Sequence, residues 1–305
     1  MKGYILKRLF HSIFVLVGIS LVVFIILHLT GDPAALLMPM DATPEQVAQF
    51  RQEMGFNDPI VVQYWRFFKG TLRGDFGDSF RHSQPALELV MERMPATIQL
   101  TLAAMVIALL VAIPVGIISA IRRNSLLDHI GMTGALLGQS TPVFWLGVML
   151  ILIFSVTLQW FPSSGRGELQ HLVLPAITLG MFTMARTARM MRSSMLEVLG
   201  QEYMKTAKAK GLNPGMVILK HALKNAAIPV VTIIGMELGT LLGGAVITET
   251  IFAWPGVGRL AVQAIYNRDY PVVQAAVFIL ASVFVLVNLV VDLLYTYLDP
   301  RVKLA

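Results

Sequence analysis

The sequence predicts an all-α polytopic membrane protein, with about six transmembrane helices and a small extracytoplasmic lobe after the first. Three observations carry this. Of 305 residues, 56% are hydrophobic and only 14% charged, where a soluble domain is about a quarter charged. The apolar residues fall in long unbroken blocks, and the mean hydropathy is +0.70. The 24 basic residues are shared unevenly among the loops between those blocks.

A helix rises about 1.5 Å per residue and the hydrocarbon core is about 30 Å thick, so roughly 20 apolar residues cross it. Leu9–Leu29, preceded by Lys2, Lys7 and Arg8, is the first block. It is longer than a signal-peptide core and no small-x-small site follows, so it is expected to remain as a helix. Gly31–Pro95 is different in kind, with mixed charge and aromatics at Tyr64, Trp65, Phe67, Phe68, Phe76 and Phe80. It is expected to fold as a lobe on the membrane surface, with a helix start at Thr43-Pro44-Glu45-Gln46. Ile98–Ile121 is the second span. Ile130–Leu158 is long and carries Pro142 near its middle. One tilted or kinked helix is expected there, with a break at Gln139-Ser140-Thr141-Pro142 as the alternative. Leu172–Ala185 is short for a span, while Ala226–Ile247 and Val272–Leu294 fit well.

Charge decides the short one. With six crossings and a cytoplasmic N-terminus, 15 of the 24 basic residues lie inside, and the two short outer loops hold only Arg166, Arg259 and Arg268. Were Leu172–Ala185 not to cross, the basic run Arg186–Lys224 would fall outside, against the positive-inside rule. Both termini are therefore expected in the cytoplasm. The net charge of +6 reads as this orientation signal and not as a nucleic-acid surface. The absence of cysteine excludes disulfides and thiolate metal sites, and none of the six histidines forms a metal-spaced pair. No Gly-x-x-x-x-Gly-Lys-[Ser/Thr] occurs, so the chain is not expected to cradle ATP itself or to be an enzyme by itself. Energy would come from a partner or an ion gradient.

The segment from Tyr203 to Pro229, YMKTAKAKGLNPGMVILKHALKNAAIP, raises its own question. Its surroundings, residues 190–226, form a basic loop far longer than orientation needs. Met191, Met195, Val198 and Leu199 line one helical side; Gly211 ends that helix; Asn213-Pro214 starts another, with Val217, Ile218, Leu219, Ala222 and Leu223 as its stripe. Two amphipathic helices at a glycine elbow make a knob whose apolar face must be buried, and a groove on a partner protein would do so.

Here the sequence resembles a known family. Glu202-Tyr203, Thr206-Ala207-Lys208-Ala209-Lys210-Gly211, His221-Ala222-Leu223-Lys224-Asn225-Ala226 and Pro229 look like the coupling loop of ABC-importer permeases of the peptide/nickel group. Gly31-Asp32-Pro33, Gly74-Asp75-Phe76-Gly77, Arg192-Ser193-Ser194-Met195, Thr250–Gly258 and Arg268-Asp269-Tyr270-Pro271 agree in order. The version resembles the B-type membrane subunit of dipeptide permeases, with oligopeptide, glutathione and nickel relatives nearby. The stretch between the third and fourth spans is shorter than in some dipeptide permeases. The resemblance implies a type I importer permease fold, divided into residues 1–95 (first helix and outer lobe), 96–297 (permease domain with the coupling loop 190–226) and 298–305 (cytoplasmic tail). It implies a bacterial inner-membrane location. It also implies as partners a homologous C-type permease subunit, two ATPase subunits that carry ATP and Mg, an extracytoplasmic solute-binding protein and membrane lipid. Glu202, Ala207 and Gly211 would be the centre of the ATPase contact, with Lys205, Lys208, Lys210 and Lys220 around its rim.

Other residues carry two readings each. Glu237 lies near the middle of the fifth span, where an unpaired charge costs about 2.5–3.5 kcal/mol. It is either a pathway residue meeting a solute's amino group or a buried, hydrogen-bonded acid between helices. Gly235, Gly239 and Gly243 share a face for close helix approach or for a sliding surface in the pathway. Gln139, Ser140 and Thr141 either line the path or satisfy backbone freed by Pro142. Trp254 and Arg259 are a membrane anchor or a contact for the binding protein. Trp65, Arg73, Asp75 and Phe76 are the better candidates for that contact. Two further classes compete with the permease: an ion-coupled secondary transporter with Glu237 as proton carrier, and a membrane scaffold without a pathway.

Overall fold

The computed structural model describes residues 2–29, 43–53 and 55–298. Gly31-Asp32-Pro33 and Asp299-Pro300-Arg301, together with the rest of the tail, lie outside them. In chain order the helices are α1 (Lys2–Leu29), α2 (Pro44–Glu53), α3 (Ile60–Leu72), α4 (Ala86–Ile121), α5 (Leu126–Ser140), α6 (Val143–Thr157), α7 (Gln170–Leu199), α8 (Glu202–Ala209), α9 (Pro214–Ile251), α10 (Val257–Tyr266) and α11 (Tyr270–Leu298). The protein is all-α and polytopic. α4, α9 and α11 as far as Asp292 are each long and apolar enough to cross a bilayer unaided.

Contacts group the described residues into two compact units, one from Met1–Ala96 with Pro255–Leu289, the other from Thr97–Trp254 with Val290–Pro300. In the first, Val90, Met94, Val257, Tyr270, Val272 and Ala276 belong to one buried core. α3 is held to α1 by the Ser20–Tyr64 hydroxyl pair at 3.0 Å and by Phe24 against Tyr64 and Phe67. In the second, α7 is the central element, packed along both α5 and α9. It buries residues on most of its circumference, Leu174 and Thr178 through Met191 and Met195. A Cβ on Gly180 would stand 2.7 Å from the Ala104 carbonyl oxygen, and one on Gly116 2.7 Å from that of Ala188. Backbone meets backbone between α4 and α7, as small residues allow in membrane helices.

Two expectations change here. The stretch 130–158 is not one kinked helix. α5 and α6 meet at 110°, because Pro142 has no N–H to continue the ladder and forces Thr141 into an extended conformation (φ −80°, ψ 126°). The glycine stripe on α9 is likewise only partly a packing face. Gly235 abuts Val291 and Gly239 is buried, but nothing lies within 4 Å of a Cβ on Gly243.

Candidate functional site

The bent basic segment is built from local rules. α7 stops at Gly200, and Gln201 turns extended (φ −73°, ψ 150°) before α8 begins. This break was not expected; the periodicity runs across it because Met204 and Ala207 continue the apolar stripe of Met191 and Met195. Gly211 ends α8 with φ +73°, the left-handed cap that favours glycine. Asn213 then caps α9, its side-chain oxygen accepting from the Gly215 N–H at 3.0 Å, with Pro214 at the first helical position. α9 opens with a π-helical stretch, Val217–Ala222.

The apolar face of this knob does not wait for an outside groove. Met191, Met195, Met204, Ala207, Val217, Ala222, Ala226 and Val230 form one buried cluster within the chain. The Ser194 hydroxyl donates to the Ala226 carbonyl at 2.9 Å, and the Asn225 amide to the Tyr203 hydroxyl at 2.9 Å. Ala207 is thus a buried residue that seats the elbow, while Glu202, Lys205, Lys208, Lys210, Gly211 and Lys220 are exposed on its crest, with Met216 and Leu219 beside them. The Lys205–Glu202 pair, 2.7 Å apart and solvated, adds little stability. The segment is a polar, basic knob fixed from beneath by methionines.

Two buried acids brace α7. Asp128, in the first turn of α5, accepts from Arg192 at 2.6 and 2.7 Å and from the Asn124 N–H at 3.0 Å. The Ser125 hydroxyl caps the same turn. The hydrogen bonds from Arg192 outweigh burial and lower the Asp128 carboxyl from 3.8 to about 2; Asp128 raises the Arg192 guanidinium in return. Glu237 on α9 is buried and accepts from Arg186 (2.7 Å), Thr183 (3.1 Å) and Thr240 (3.2 Å). Of its two readings, this geometry is that of the hydrogen-bonded acid between helices. Gln139 is half-buried with its side-chain oxygen unpartnered, while Ser140 and Gly243 are exposed.

A family model described as "Binding-protein-dependent transport system inner membrane component" matches residues 112–304, and its N-terminal companion, "Binding-prot-dependent transport system membrane comp, N-term", residues 1–101. The chain belongs to this family. It is an inner-membrane, multi-pass permease component. The dipeptide transport system permease protein DppB of Alkalihalophilus pseudofirmus is 44% identical to it over 332 residues, covering 99% of this chain and 100% of that one. The glutathione transport system permease protein GsiC of Salmonella paratyphi A is 44% identical over 304 residues, covering 99% of each. The DppB of Escherichia coli K12 is 42% identical over 336 residues, with 99% of each covered. Among solved structures, the inward-facing MetNI methionine ABC transporter aligns with TM-score 0.59 at 21% identity, covering 69% of this chain and 96% of that one. That likeness supports the type I permease fold. The family is one of transporter subunits and not of enzymes, and its transport systems depend on a binding protein.

The structure sorts the candidate contact residues of the segment before α4 and of the loop leading into α10. Trp65 is exposed, with Lys69 stacked 5.2 Å over its ring, and Arg73 is exposed. Phe76 is not available for contact, since it plugs the core against Phe278. Asp75 is exposed but accepts from the Gly77 N–H at 3.0 Å, in a turn where Gly74 and Gly77 have positive φ. Gly-Asp-Phe-Gly therefore serves as turn chemistry. Trp254 is 1% exposed, with Arg166 over its ring at 5.9 Å; burial removes it from both of its expected roles. Arg259 is half-buried beside a cleft that also holds Arg81, His82 and Arg93.

Two further acids are buried. Glu249 is fully buried and accepts from the Thr97 hydroxyl at 2.6 Å, two residues past the end of the apolar block at Ile247. Asp269 is buried and accepts from the Ser79 hydroxyl (2.5 Å) and the Phe80 N–H (3.2 Å). Its signal was present in the Arg268-Asp269-Tyr270-Pro271 motif, but one sequence could not pair it with residues 190 positions away.

Proposed function

We propose that this permease forms half of the translocation pathway of an ATP-driven, binding-protein-dependent importer of di- or oligopeptides. Its companions are a homologous C-type subunit, two ATPase subunits that carry ATP and Mg, and an extracytoplasmic solute-binding protein. Residues 190–226 lie on the cytoplasmic side and couple the ATPases to the pathway. The observation that carries this is the knob: an exposed basic crest, joined by a buried methionine cluster to α7 and α9. A docked motor can move helices only through a contact too stiff to absorb the displacement, and the cluster supplies that stiffness. Glu202 and Gly211 sit on the contact, Lys205, Lys208, Lys210 and Lys220 frame it, and Ala207 supports it from below. Gln139, Ser140 and Gly243 are the pathway candidates that remain accessible or unpartnered. Trp65, Arg73 and Arg259 remain for the binding protein.

Glutathione is the second reading for the solute, and alignment length favours it. The match to the glutathione permease runs without surplus, 304 residues covering 99% of both chains, while the Escherichia coli dipeptide permease needs 336. That dipeptide relative carries a segment this chain lacks.

The test is uptake into proteoliposomes by the complete complex, with labelled dipeptide and labelled glutathione compared. ATP-dependent uptake of either, lost when Lys205, Lys208 and Lys210 are reversed to Glu, supports the coupling reading, and the preferred label names the solute. Uptake that follows an ion gradient without ATP would overturn it.

A further inference from the structure

Within the first unit, α1 and the part of α11 up to Ala281 leave a groove of about 950 Å³. Phe14, Gly18 and Val22 line it from α1, and Val273, Val277 and Ala281 from α11. Both sets recur every four residues, so each makes one stripe about 12 Å long on its helix. Nothing lies within 4 Å of a Cβ on Gly18, so this glycine keeps the groove open instead of admitting a neighbouring helix.

One end of the groove is different. Arg268 and Tyr270 form it. Tyr270 is only 8% exposed, and its buried hydroxyl has no hydrogen-bond partner, a state that native interiors rarely tolerate. Arg268 is exposed, and among the described residues it makes no ion pair or side-chain hydrogen bond. Its backbone is left-handed at φ +55°, a conformation uncommon for residues with a Cβ. The turn fixes it there: the Arg268 N–H donates to Ile265 and the Asp269 N–H to Ala264, while the buried Asp269 carboxylate holds Ser79 and Phe80. A cation and an unsatisfied hydroxyl are thus held at the head of a slot that is otherwise apolar.

We infer that this groove binds an anionic phospholipid, its acyl chain along the α1 and α11 stripes and its headgroup phosphate on Arg268 and Tyr270. A phosphate accepts from the guanidinium fork and from the tyrosine O–H together. A free anion would leave the stripes empty. The apolar length with one cationic end matches an amphiphile with an anionic head. The site goes beyond the transport reading and shares with it only the membrane placement of α1 and α11.

The test is native mass spectrometry of the full chain, with whatever subunits co-purify, after exposure to equal amounts of phosphatidylglycerol and phosphatidylcholine. Wild type is expected to retain phosphatidylglycerol over phosphatidylcholine by about tenfold: both lipids offer the phosphate, but the choline ammonium sets a like charge beside Arg268 and cancels the headgroup's net charge. Arg268→Gln should abolish the preference, Tyr270→Phe should weaken retention of both lipids several-fold while leaving the preference, and Gly18→Leu should end retention of both lipids. A photo-crosslinker at Val22 in the otherwise unchanged chain gives a second reading independent of these variants: capture of phosphatidylglycerol supports the site. Equal retention of the two lipids, an unchanged preference in Arg268→Gln, or crosslinking to a companion membrane subunit would overturn it. The readout is lipid mass, so the result does not depend on which solute the permease carries.

Discussion

Asp128 and Glu237 are both buried acids facing an arginine of α7, yet they respond differently to change. At Asp128 the fold favours the carboxylate: its value falls from 3.8 to about 2 because Arg192 donates twice. The stabilisation, about 2 kcal/mol, is therefore complete above pH 4–5 and lost as pH falls toward 2. Asp128→Asn should lower the unfolding temperature of the detergent-solubilised chain at pH 7, with the difference from wild type closing only below about pH 4. Glu237 pairs with a guanidinium that is 45% exposed, while its own carboxylate is 2% exposed. Removing the glutamate releases Arg186 to water; removing the arginine leaves a buried carboxylate with two threonine hydroxyls. Arg186→Gln should consequently cost about 3 kcal/mol and Glu237→Gln about 1 kcal/mol, with the double variant costing less than the sum. Chemical denaturation of the four proteins measures this cycle. In transport, Glu237→Gln should affect solutes with free and blocked amino termini equally, and a selective loss for free amines would restore its role in the pathway.

At the scale of elements, the elbow and the break show how far sequence reaches. The Gly211 stop and the Asn213-Pro214 start were legible because capping is local chemistry, and both stand at the expected residues. The break at Thr141-Pro142 was visible as an alternative, since a proline restricts its predecessor whatever the environment. What covers the knob's apolar face was not legible, because amphipathic spacing says that a face is buried and not by what. The same limit blurred the close-approach glycines: the four-residue spacing pointed to α9, where Gly235 does abut the Val291 side chain, but the backbone-to-backbone contacts between α4 and α7 fall at Gly116 and Gly180, which share no such pattern. Gly211 itself permits a clean test. Nothing lies within 4 Å of its Cβ position and φ is +73°, so a substitution there meets backbone strain alone, about 1–2 kcal/mol. Gly211→Val should leave membrane insertion and unfolding temperature near wild type while ATP hydrolysis ceases to track uptake. Gly211→Asn, which tolerates the left-handed region, should retain coupling. Normal uptake by the valine variant would count against a rigid elbow.

Across the whole molecule, the placement of every loop depends on whether α7 crosses the bilayer. Hydropathy does not decide this, since α7 is absent from the helices that are long and apolar enough to cross unaided. It is buried on most of its circumference, so its threonines and small residues face protein and not lipid. An element shielded in this way has no need of an apolar surface, which explains why its span looked short in the sequence. Its direction was read instead from the basic residues that follow it. The chain contains no cysteine, so single cysteines report position without a background. Leu169, just before α7, and Lys208, beyond it, are both exposed, as are Arg73 and Arg123. Leu169→Cys and Arg73→Cys should react with a membrane-impermeant maleimide added to intact cells, while Lys208→Cys and Arg123→Cys should react only in inverted vesicles. Labelling of Leu169→Cys and Lys208→Cys from the same side would mean that α7 does not cross. The basic crest and the loop before it would then share a compartment, and a cytoplasmic motor could not be coupled through the knob while the outer loops faced a binding protein.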